Sequence, residues 1–175
     1  MPIRLKAIAS IVKAFQWSQV VIISEDTEYG TGIIPYLSNA LEDVNARISY
    51  RSLFLKSASD DFIYKELYKI MTMQTRVVVV HMSEHLGAKL FLKSKEIGMM
   101  SNGYAWIVTS GLTDLYSLMD LNVVEAMHGV LGVKPLIPKS KELDSFATRW
   151  KKMSFSGLWR KHQTHTSKYF WPLGI

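Results

Sequence analysis

Cysteine is absent from the 175 residues, so neither a disulfide framework nor a thiolate metal site can be built. The absence leaves the compartment open, because many secreted domains also lack disulfides. No stretch approaches the roughly 18–20 apolar residues of a membrane-spanning helix. A secretory leader is not expected, since the first fifteen residues contain no continuous apolar run. Those residues also lack acids and carry Arg4, Lys6 and Lys13, which leaves a transit-peptide reading. The recurrence of Leu5, Ile8, Val12 and Phe15 at helical spacing favours a helix lying on a sheet instead.

Acids are missing again from the last 25 residues, which hold five cations: Lys151, Lys152, Arg160, Lys161 and Lys168. Residues 1–150 are nearly balanced, with 16 Lys and Arg against 15 Asp and Glu. The net charge of +6 therefore belongs to a terminal segment, and no nucleic-acid partner is expected.

Nucleotide signatures are missing as well. Tyr29-Gly30-Thr31-Gly32 has proline (Pro35) where G-x-G-x-x-G requires its third glycine, and no Gly-Lys-Ser/Thr occurs. No Ser/His/Asp grouping can be assembled. These absences disfavour an enzyme on a dinucleotide-type sheet.

What is present is an ordinary globular composition, 48% hydrophobic and 21% charged, enough for one core. The organising stretch runs from Val20 to Pro35. Val20 to Ile23 read as a short buried strand, a polar turn follows, and a helix from about Gly32 to Ala46 carries Pro35 in its first turn. Ligands of open α/β sheets sit beyond the carboxyl ends of such strands. The turn reads either as free amides beside a tyrosine edge, suited to an anion such as a carboxylate, or as a plain tight turn.

Further along, strands are expected at 48–55, 76–80 and 104–109, with a bent last strand at 127–135. Four consecutive valines, Val77 to Val80, predict a strand covered on both faces and hence a parallel sheet. Helices are expected at 4–15, 59–71, 83–97, about 114–119 and 140–152. Ser59 and Ser83 are the anticipated N-caps, and Gly98 the C′ residue of its helix. The alternation predicts an α/β fold, a doubly wound and mostly parallel sheet with right-handed crossovers. After Met153 no periodicity remains, and a poorly ordered basic tail over 153–175 is expected.

His81-Met82-Ser83-Glu84-His85 matches the H-x-x-E-H string of inverted zinc peptidases. With His81 closing a strand and Ser83 starting a helix, the two imidazoles are not expected to converge, so no metal or other cofactor is assigned. The acidic pair Asp60-Asp61 is read as helix-start charge rather than as a catalytic dyad.

Several segments resemble one family. They are Ala7 to Phe15, Glu28 to Pro35, Met71 to Val77, Val79 to Met82, Lys95 to Met100, Gly103 to Ile107, and Gly129 to Pro135, followed by Phe146 and Arg149-Trp150. Together they are similar to the amino-terminal domain of plant glutamate-receptor-like channels, over residues 4–152. The resemblance implies one lobe, mainly the second, of a type I periplasmic-binding-protein fold, in which two α/β lobes hold ligand between them. It implies a non-enzymatic fragment of an extracellular ligand-sensing region, from the plasma-membrane ligand-gated nonselective cation channels. The partners implied are a small molecule such as an amino acid, with the other lobe, and other receptor subunits.

On that resemblance the ligand-binding residues are Tyr29, Gly30 and Thr31 of the turn, with Thr109 and Ser110 after the tryptophan-bearing strand. Serine stands at Ser110 where amino-acid-binding relatives often have an aspartate, which weakens the case for amino-acid binding. Gln16 stands where many relatives have a helix-ending glycine. An assembly lobe without ligand, or a truncated product without function, are the alternatives.

Overall fold

The computed structural model describes residues 3–115, 119–134 and 138–155. The chain divides into two units, Met1–Pro135 and Leu136–Ile175. In the first, helices α1 (Ile3–Ala14), α2 (Glu28–Thr31), α3 (Ile34–Glu42), α4 (Asp60–Met71), α5 (Glu84–Glu96), α6 (Ser110–Leu115) and α7 (Leu121–Ala126) surround a sheet. Its strands are β1 (Gln19–Glu25), β2 (Arg47–Phe54), β3 (Val77–His81), β4 (Ala105–Val108) and β5 (Leu131–Gly132). All are parallel, in the order β2-β1-β3-β4-β5. The winding direction reverses between β1 and β3, so a topological switch point opens at their carboxyl ends.

Every residue of β3 is buried. Side chains alternate across a strand, so the valines divide between two cores. Val77 and Val79 join Val20, Ile22 and Ile107 beneath Leu5, Ile8 and Val12 of α1 and Leu37 and Leu41 of α3. Val78 and Val80 join Val21, Ile23 and Trp106 beneath Ile63, Leu67 and Ile70 of α4 and Leu86, Leu90 and Phe91 of α5. Each such fully buried aliphatic side chain contributes about 1.5–3 kcal/mol relative to exposure. The doubly covered sheet predicted from the valine run is what forms.

The helix ends follow local chemistry. Ser59 Oγ accepts the Phe62 amide at 3.3 Å, with Asp60 and Asp61 in the first turn. Gly98, at φ +80°, closes α5 while its amide reaches the Lys95 carbonyl and the Met99 amide reaches that of Ser94. Helix α1 ends in the same paired bonds, Gln16 to Lys13 and Trp17 to Val12, with Gln16 forced to φ +57°.

Several expectations need correction. The helix expected from Gly32 to Ala46 is two pieces. Thr27 starts the short α2, and α3 begins only at Ile34 with Pro35 in its first turn. The break falls where Pro35 has no amide to continue the preceding turn. The helix expected near 114–119 starts instead at Ser110, because the Thr109 carbonyl accepts from Leu112 and Thr113; residues 116–118 lie outside the described residues. The bent strand expected at 127–135 shortens to Leu131–Gly132, preceded by the unforeseen α7 and by Gly129 at φ +85°; Pro135 lies outside the described residues. Ser83 is the N-cap of α5 as expected, but its side chain makes no capping hydrogen bond to the helix.

The second unit contains α8 (Lys141–Phe155), opened by Ser140 Oγ accepting the Leu143 amide at 3.2 Å. It agrees with the charged helix expected over 140–152. Residues 156–175 of the expected tail lie outside the described residues.

Candidate functional site

The carboxyl ends of β1, β3 and β4 carry Glu25, His81 and Thr109, and α2 and α6 begin just beyond them. Thr109 follows β4 directly, its amide bonded to the Val80 carbonyl at 3.2 Å. The two segments that carry the expected ligand residues therefore lie on neighbouring elements at the switch point, about eighty residues apart in the chain.

Tyr29 is half-exposed in α2, and its ring lies over that of His81 with centroids 4.3 Å apart at 36°. Its hydroxyl reaches the start of α6, where a Cβ on Gly111 would fall 2.2 Å from the oxygen. Gly30 is buried, and a Cβ there would lie 1.9 Å from the Glu25 carbonyl oxygen. The missing side chain lets α2 turn tightly over the end of β1. Thr31 turns its hydroxyl back to the Thr27 carbonyl at 2.8 Å. Thr109 is buried, and its hydroxyl lies 2.7 Å from His81 Nδ1. Ser110, partly exposed, is the first residue of α6.

The turn's amides are not a free anion cradle. Gly30 donates to Thr27 Oγ1, Thr31 to the Thr27 carbonyl and Gly32 to the Glu28 carbonyl. Of the two readings of this turn, the tight turn accounts for those donors.

Two ionisable residues at this edge were not singled out as site residues from the sequence. Glu25 is buried to 1%, and its Oε2 accepts the Ser83 amide at 2.8 Å, placing a carboxylate at the positive end of α5. Lys56 Nζ stands 3.7 Å from Oε1. Burial pushes the carboxyl pKa up, but the Ser83 bonds and the Lys56 charge outweigh it and hold the group below its ordinary value. His81 is 4% exposed, with Nε2 2.9 Å from the Tyr29 carbonyl. Burial depresses its pKa despite that carbonyl and the Glu25 charge, so the ring is neutral near pH 7. Both residues are the first ionisable side chains after an apolar run, which is the signal a sequence reading could have used.

His85 lies exposed in the first turn of α5, while both ring nitrogens of His81 already face oxygen partners. The H-x-x-E-H string thus does not converge. Among the described residues there is no cluster of three or more His, Asp or Glu able to hold a metal ion, and no helix is long and apolar enough to cross a membrane.

A doubly wound sheet with polar side chains gathered at its switch point is the architecture of a ligand-binding α/β domain. The chain belongs to the receptor family ligand binding region, whose model matches residues 4–171. It is 51% identical over 149 residues to Glutamate receptor 2.6 of Arabidopsis thaliana, which covers 85% of this chain and 15% of that protein. It is 52% identical over 151 residues to Glutamate receptor 2.7 of the same plant, covering 86% and 16%. Glutamate receptor 2.2 matches at 44% over 162 residues, covering 89% and 18%. The chain thus spans under a fifth of the length of these relatives. The resemblance to plant glutamate receptors seen in the sequence motifs holds, and the family match continues past residue 152 into the segment set apart as a tail.

Proposed function

We propose that this chain forms one jaw of the ligand cleft, mainly the second lobe, in the extracellular sensing region of a plant glutamate-receptor-like cation channel. The observation that carries the reading is the meeting of Tyr29 with Gly111 above His81, which joins residues 29–31 to 109–111 at the switch point. The ligand is a small molecule with amino-acid character, held against Tyr29, Ser110 and the exposed edge of α2. Thr109, Gly30 and Thr31 shape that wall from behind. A facing lobe supplies the other contacts, and further receptor subunits complete the assembly. The function is binding, not catalysis.

Ligand biases the channel only through differential affinity for the closed arrangement of the two jaws. One jaw offers part of the contacts, so the chain alone binds weakly. Titrating L-glutamate into the isotopically labelled chain is expected to move amide resonances at 29–31 and 109–111, with a dissociation constant of about 1 mM or weaker. Calorimetry at ordinary concentrations is expected to show no binding by the chain alone. Shifts confined to another part of the sheet, or micromolar binding by the chain alone, would overturn the proposal.

A further inference from the structure

Beneath the proposed jaw lies an imidazole that ligand does not reach. We infer that His81 is the positioning residue of the half-site, holding Tyr29 and the start of α6 in their binding arrangement before ligand arrives. The inference rests on the proposed ligand role of Tyr29.

The hydrogen-bond roles decide the ring's state. The Tyr29 carbonyl can only accept, so Nε2, 2.9 Å away, carries the hydrogen. Nδ1 of the neutral ring then presents a lone pair, and the Thr109 hydroxyl donates to it at 2.7 Å. One ring thus binds the main chain of α2 through one nitrogen and the residue before α6 through the other. Its face also supports the Tyr29 ring at 4.3 Å.

The side chain is 4% exposed and sits at the end of β3, the strand between β1 and β4. Strand β3 is the central strand of the sheet and is buried along its full length. A hydrophobic residue there would fill the space but would direct neither segment. A half-exposed tyrosine already fixed in place costs less ordering when ligand binds, and that is worth roughly threefold to tenfold in affinity.

Two substitutions of similar polarity separate positioning from packing. In H81Q the amide nitrogen reaches the position of Nε2, keeping the donor to the Tyr29 carbonyl. In H81N the amide oxygen takes the position of Nδ1, keeping the Thr109 contact and releasing Tyr29. With the full 175-residue chain, long-range nitrogen–proton spectra of the imidazole are expected to give the Nε2–H tautomer. The nuclear Overhauser contact between the Tyr29 ring and the Gly111 α-protons is expected to persist in H81Q and vanish in H81N. L-glutamate affinity is expected to fall roughly threefold to tenfold in H81N and to stay near the parent value in H81Q.

An Nδ1–H tautomer, or equal behaviour of the two variants, would overturn the inference. Should H81N not fold, the tautomer in the parent chain still decides. The tautomer and the ring contact are read without ligand. Failure of glutamate to shift any resonance therefore sinks the ligand reading alone, and survival of the ring contact in H81N sinks the positioning role alone.

Discussion

Tyr29 and Gly111 stand so close that the glycine can carry no side chain without moving the tyrosine: a Cβ would fall 2.2 Å from the phenol oxygen. The oxygen is the far end of a half-exposed side chain, which can shift where main chain could not. Alanine is also the better helix former by about 1 kcal/mol, so G111A is expected to leave stability within about 1 kcal/mol of the parent. It should nevertheless remove the glutamate-induced shifts at Tyr29. A G111A chain with unchanged shifts would separate Tyr29 from the jaw.

Gly30 gives the contrasting case. Its missing Cβ would collide with the Glu25 carbonyl at 1.9 Å, and main chain at the end of a buried strand cannot step aside. G30A is expected to destabilise the fold by about 2 kcal/mol or more, read from the urea midpoint.

Acidification should weaken the fold in two windows. His81 has a folded pKa below its unfolded value, so the unfolded chain binds more protons between the two. Its contribution is fully present above the unfolded pKa, about 6.5, and is lost as pH falls towards the folded one. Glu25 follows the same sign lower down, from its unfolded value near 4.5. Urea midpoints between pH 7.5 and about 3 are expected to fall, with H81Q flattening the first part of the curve and E25Q the part below about 4.5. A parent midpoint that rises between pH 7.5 and 5 would contradict the buried neutral imidazole.

Glu25 also links β1 to α5, through the 2.8 Å bond from the Ser83 amide. Removing the acceptor leaves a part-buried donor at a helix start. E25A is expected to cost about 1–3 kcal/mol near neutral pH, and E25Q less, because its amide oxygen can still accept. Equal losses in the two would mean that charge, not the Ser83 bond, carries the contribution.

Gln16 offers a gain. A residue other than glycine at φ +57° pays about 1 kcal/mol for its Cβ, so Q16G is expected to raise stability by about that amount. Asn45 holds a similar φ of +58°, but asparagine tolerates that region, and N45G should gain less. Thermal denaturation of the two single variants checks the order.

The valine run, the Ser59 cap and the Gly98 terminus were legible because each rests on local chemistry or on a period that the chain displays along itself. Ser83 was legible as the N-cap position but not in what it does there: its hydroxyl makes no capping bond to α5, and its amide donates to Glu25 at the end of β1. The break before α3 and the short β5 were also missed. In each case a single proline or a few neighbouring carbonyls decide between adjacent turns, and periodicity carries no such detail.

From its order of residues alone the chain determined an alternating parallel sheet, its buried faces and the polar turns at its strand ends, because burial and capping are set over a few residues. The tertiary structure alone decided that β1, β3 and β4 lie side by side. That adjacency seats His81 between Tyr29 and Thr109 and turns three distant polar residues into one site, since hydrogen bonds of 2.7 and 2.9 Å exist only once the strands have paired.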